Sequence, residues 1–267
     1  MNSSKRRGWR YLTIVTIIFF LGAGAWYFIV PIQKSKQLES SLVDRYDWAT
    51  RYTPPADGVI QADRLERFLR VRDAVQTNCG IFQEIMDSVI RLETLESDPN
   101  LSARQKTSEG LDSLKRMFSA APSFLEFMDA RNNALLVEEM GLGEYIYLYL
   151  AAYAEQLAQE SEGRYADQEE AYLSPRARKE YVKILENQLA ALNATEQSPA
   201  TLTLITELQA EITALEEGSH ASPWPEGPPS ATSNSLAPYH DRLSALYCEG
   251  IVRVEILQKN KGYSFEG

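Results

Sequence analysis

From Leu12 to Val30 the chain is an uninterrupted run of apolar, aromatic and small residues, broken only by the uncharged Thr13 and Thr16. A helix of about 20 residues at about 1.5 Å each spans roughly the 30 Å hydrocarbon core of a bilayer. The pattern therefore predicts a transmembrane helix over 11–31. No helix breaker follows until Thr53-Pro54-Pro55-Ala56-Asp57-Gly58, so the helix is expected to run on as a stalk and stop at that turn, giving a stalk and Pro-rich turn over 32–58.

Beyond the turn, apolar positions recur at three- and four-residue spacing, the period of a core-facing helix. Leu65, Phe68, Leu69, Val75, Cys79, Phe82, Met86, Val89 and Ile90 predict a helix over about 62–95, ended by Asp98-Pro99-Asn100. A more polar helix follows over about 102–118. From Ser123 to Gln159 the chain is apolar on more than one face, as a helix central to a bundle would be. Leu135, Leu142, Tyr145, Ile146, Tyr149, Tyr153 and Leu157 form one stripe there. Gly141 and Gly143 precede the tyrosines and predict either a close approach or a bend.

Ser174-Pro175 and Ser198-Pro199 each place a capping residue before a proline at the first helical position. They predict a helical hairpin over 174–217, ending at Gly218. Residues 218–238 are rich in Pro, Ser and Gly and read as an exposed loop, with a last helix over about 239–259. No strand-like alternation or internal repeat occurs. The expected fold is all-α: an N-terminal transmembrane helix with a stalk, then an irregular helical bundle over 59–267 containing the hairpin.

Charge decides the orientation. Lys5, Arg6, Arg7 and Arg10 precede the apolar run without an acidic residue, so residues 1–10 are expected as a cytoplasmic tail. The domain then lies on the periplasmic side of a cell inner membrane. A cleaved signal peptide ending at Ala23-Gly24-Ala25 is the competing reading; it would leave an odd, apolar mature start. Removing the four basic residues of the tail from 27 Lys and Arg leaves 23 against 37 Asp and Glu, a formal charge of −14. Such a domain repels nucleic acid, which is not an expected partner.

Candidate chemistry is sparse. No nucleophile elbow, phosphate-cradling glycine loop or paired-cysteine metal motif occurs, and no cofactor or metal site is expected. Glu217-x-x-His220 has di-metal spacing but straddles Gly218, and His240 beside Asp241 points about 100° away from it. Cys79 and Cys248, the two cysteines, either pair in an oxidising compartment or remain buried thiols. Tyr145, Tyr149 and Tyr153 either line an aromatic pocket for a lipid, glycan or peptide, or pack as core. Trp224, between two prolines, either meets a partner or folds back as a lid. Together these features point to a non-enzymatic, single-pass, membrane-anchored interaction or scaffold protein of the cell envelope, bound to the membrane through 11–31 and to an envelope protein partner. The alternative is a ligand-binding bundle.

Overall fold

The computed structural model describes residues 33–80, 125–164, 173–220, 222–249 and 251–256. The expected span over 11–31, the tail, the helix over 102–118 and residues 81–95 of the helix before it lie outside the described residues. Among the described residues no helix is long and apolar enough to cross a membrane.

The described residues are helical, joined by turns, with no strand among them. In chain order they are α1 (33–46), a 3-10 turn at Ala49–Arg51, α2 (Ala62–Gln76), α3 (125–137), α4 (Leu142–Ala152), α5 (Ala154–Arg164), α6 (Pro175–Asn193), α7 (Pro199–Glu217), α8 (Ser230–Leu236), α9 (His240–Ala245) and α10 (Val252–Glu255). A further helix begins at Cys79. α4 is the centre: Tyr145 to Leu150 are all buried, and the helix packs on α2, α6, α8 and the 3-10 turn.

Local chemistry accounts for the hairpin. The Ser174 and Ser198 hydroxyls accept from the N–H groups of Ala177 (3.2 Å) and Thr201 (3.1 Å), each satisfying an orphan donor of the first turn. Gly218 ends α7 at φ +71°, a conformation open to glycine without steric cost.

Three segments depart from the pattern. The expected stalk helix lies against the bundle: Leu42 is in the core, and Tyr46 packs over Gly141. The long helix over 123–159 is broken twice. Glu139 takes φ +52° and Gly141 caps a new helix, while a Cβ on Gly143 would stand 2.4 Å from the Ala49 carbonyl oxygen. That glycine lets the 3-10 turn press directly onto α4.

The third departure is the C-terminal region. The loop over 218–238 is not simply exposed: it contains α8, and Ser222, Trp224, Thr232 and Leu236 are buried. The helix expected over 239–259 stops at Ala245 and resumes at Val252. Arg72 donates to the Leu246 carbonyl (2.8 Å), so a side chain takes an acceptor that a continuing helix would use.

Candidate functional site

The tyrosine stripe sits in the middle of the core. Successive ring centroids of Tyr145, Tyr149 and Tyr153 are 6.1 and 5.0 Å apart, as i, i+4 spacing dictates. Phe68 closes one side, and Tyr247 stands 5.0 Å from Tyr153. The Arg72 guanidinium lies 5.2 Å from the Tyr149 ring centroid and 5.4 Å from that of Tyr153. These rings enclose the protein's own cation. The three rings are buried, and the Arg72 guanidinium packs against the faces of two of them.

Arg72 is fully buried and pairs with the equally buried Glu255. Tyr145 joins them, accepting from Arg72 (3.0 Å) and donating to Glu255 Oε2 (2.6 Å). Burial alone would lower the pKa of Arg72, but the Glu255 charge and the surrounding phenols outweigh it and raise the pKa well above its ordinary value. Burial pushes Tyr145 and Tyr149 well above theirs. Neither the Tyr149 nor the Tyr153 hydroxyl makes a well-aligned hydrogen bond, although the Arg72 charge reaches both. Arg131, also buried, donates to the Glu255 carbonyl and to Asn132 Oδ1 (2.9 Å). The ensemble is an ionic lock that fastens Leu246 and Glu255 to α2, α3 and α4. Arg72 and Glu255 were not singled out from the sequence. Their signal was there: Arg72 follows Phe68 by four and precedes Val75 by three, so a charge falls within the apolar stripe.

Beside the lock, Cys79 and Cys248 form a disulfide, with Cα atoms 5.6 Å apart. It lies in a small second core with Val75, Phe127, Met128 and Ile251.

Trp224 is buried, at 6% exposure, and folds back on the hairpin. Its indole N–H donates to the Tyr181 hydroxyl (2.7 Å), and its backbone N–H donates to Glu211 Oε1 (3.0 Å). His220 Nδ1 meets the other Glu211 oxygen at 3.1 Å. In this conformation Trp224 folds back over Tyr181. Its φ of +52° is rare for a bulky residue, and the two hydrogen bonds hold it there. His220 is thus engaged by Glu211, one helical face away from Glu217. His240 and Asp241 are both exposed. Among the described residues no group of three His, Cys, Asp or Glu side chains could hold a metal ion.

Two open concavities lie on either side of the turn over 54–59. Toward the hairpin is a trough of about 860 Å³, floored by Leu192 and Leu204 and edged by Asp57, Glu196, Glu207 and several hydroxyls. Among the described residues no Lys, Arg or His lines it. Toward α2 and α4 is a hollow of about 190 Å³ walled by Tyr52, Val59, Ile60 and Leu148, with Arg64 paired to Glu144 at its side. The ridge between them is held rigidly. Asn187 donates to the Thr50 and Tyr52 carbonyls (2.9 Å each), Gln188 to that of Pro55 (2.9 Å), and Thr232 to that of Gly58 (2.9 Å). The sequence marked this segment as a turn, but nothing local reveals the hollows, which form from α2, α4, α6, α7 and α8 together.

In comparisons with known proteins the chain matches no family model, and no curated protein and no solved structure is significantly similar to it.

Proposed function

We propose that this chain is a non-enzymatic, membrane-tethered helical interaction or scaffold module of the cell envelope. Its anchor is the apolar run over 11–31, with the basic tail cytoplasmic and the helical domain periplasmic. The observation that carries the contact role is the ridge over 54–59, a preformed surface between two open hollows. Its backbone is already fixed by α6 and α8, so a partner meets it without first ordering a loop. Two further features support the placement. The basic N-terminal flank follows the positive-inside rule, and the Cys79–Cys248 pairing suits an oxidising compartment. The tyrosine stripe, the other candidate, packs in the core against Arg72.

The test is native mass spectrometry of the full-length chain, extracted gently from its own membrane, with protease accessibility in intact and permeabilised cells. A stoichiometric protein partner, and cleavage only after the outer barrier is opened, are the expected results. A bare monomer under every mild extraction would overturn the contact role. Cleavage from the cytoplasmic side would overturn the placement.

A further inference from the structure

We infer that the 54–59 ridge and its two hollows form a docking surface for an extended, lysine- or arginine-rich segment of a partner protein, with one apolar side chain of that segment seated in the smaller hollow. This rests on the interaction-module reading and gives it a partner chemistry.

The trough supplies the charge. Asp57, Glu196 and Glu207 edge it, and among the described residues no basic side chain lines it. Among the described residues neither Glu196 nor Glu207 is in an ion pair, so their charge is available. The N-terminus of α7 opens at Ser198 on the same trough and contributes roughly +0.5 of an elementary charge, well below three carboxylates. The field therefore favours cations.

Size separates a chain segment from a small ion. About 860 Å³ lies toward the upper end of ligand clefts, which run roughly from 300 to 1,000 Å³. The neighbouring hollow, about 190 Å³, falls below that range and has room for a single side chain. Tyr52, Pro55, Val59, Ile60 and Leu148 give it an apolar side facing Asp57, Gln61 and the Arg64–Glu144 pair, and Val59 is 48% exposed, one of the few large apolar residues that face solvent among the described residues. Arg64 adds no net charge there because Glu144 holds it in a two-pronged pair. Asp57 belongs to both hollows, so a segment lying across the ridge fills them together.

Charge also argues against a second copy of this chain. The whole protein carries a formal −10, and in the basic stretch 176–179 of the domain Arg176 is already paired with Glu180. A basic partner gains from attraction where another copy would be repelled.

The experiment uses the full-length chain in a neutral detergent. Its probe is a short fluorescein-labelled peptide of alternating lysine and serine with one central phenylalanine, followed by anisotropy at low and physiological salt. Binding that weakens with salt is expected. The triple variant Asp57→Asn, Glu196→Gln, Glu207→Gln should weaken it at least about tenfold. A matched neutralisation of exposed acids elsewhere, Asp63→Asn, Glu155→Gln, Glu216→Gln, should change it less than about twofold. Replacing the phenylalanine by alanine, or Val59→Ser in the protein, should cost about fivefold or more. Circular dichroism confirms that each surface variant folds.

No binding at low salt overturns the inference, as does an equal loss in the control triple, which would mean general attraction to an acidic protein. Indifference to the phenylalanine, with spermine competing as well as the peptide, would make the trough a small-polycation site instead. If native mass spectrometry finds a partner while the peptide fails, only this docking surface is wrong. If the peptide binds and extraction yields a bare monomer, the interaction-module reading is the one that fails.

Discussion

Arg72 and Glu255, 183 residues apart in sequence, form an ion pair in which neither side chain touches solvent. Removing both charges from water is costly, and Tyr145, the Leu246 carbonyl and two aromatic faces are what make the arrangement tolerable. Removing one partner alone strands the other. Glu255→Gln and Arg72→Met are each expected to lower stability by about 3–5 kcal/mol. The double variant Arg72→Met, Glu255→Leu should recover much of that loss. Urea unfolding of the three variants measures it; single variants as stable as the parent would show that the lock does not hold the fold.

Gly143 is where α4 and the 3-10 turn meet most closely. An added Cβ would lie 2.4 Å from the Ala49 oxygen and 2.5 Å from the Tyr52 Cβ. Gly143→Ala should therefore cost at least about 1–3 kcal/mol through overpacking. Gly80 is the internal control, since a Cβ there meets nothing within 4 Å. Gly80→Ala should be neutral or stabilise by up to about 1 kcal/mol. Thermal melts of the pair check the contrast.

The disulfide closes a sequence separation of 169 residues. Cys79→Ala with Cys248→Ala, or reduction by a dithiol, should lower stability by about 2–5 kcal/mol. Because Cys248 and Glu255 tie down the same segment, the two losses should not add. A cycle combining the cysteine pair with Glu255→Gln should show a coupling of at least about 0.5 kcal/mol, whereas strict additivity would mean that the segment is held at two independent points.

Glu211 gives the fold a pH dependence. Burial raises its pKa above the ordinary 4.5, and the Trp224 N–H and His220 oppose that shift more weakly. The folded state thus holds the proton more tightly than the unfolded one. Its contribution to stability is full below about pH 4.5 and is lost as pH rises through the higher, folded value. Glu211→Gln keeps an acceptor for Trp224 and removes the titration. The stability of the parent relative to this variant should fall with rising pH across that window and then level off. Urea melts between acidic and neutral pH would show it. Glu211→Ala should be worse at every pH, by about 1–3 kcal/mol, because the buried Trp224 N–H loses its partner.

What was legible in the sequence was local. Ser174 and Ser198 capped their helices because a hydroxyl three residues from an orphan N–H can reach it in any context. The tyrosines of α4 fell on one stripe because helical spacing alone puts them there. Charge and apolar length likewise belong to the sequence, and with them the expectation of an anchor and an acidic domain. Helix length was less secure, since the pattern over 123–159 has the right period throughout and still breaks at Gly141 and Tyr153.

Tertiary structure decided the rest. The sequence determined an all-helical chain with an acidic surface and a central aromatic helix, because helical period, capping and charge are properties of near neighbours. It did not determine that Arg72 would fill the space between the tyrosines, that Trp224 would close over Tyr181, or that the 54–59 turn would stand between two hollows. Each depends on groups far apart in the chain arriving together: Arg72 with Glu255, Trp224 with Tyr181, Gly58 with Thr232. A buried charge or an orphan N–H is satisfied by whichever partner the packing delivers, and only the folded chain fixes which one that is.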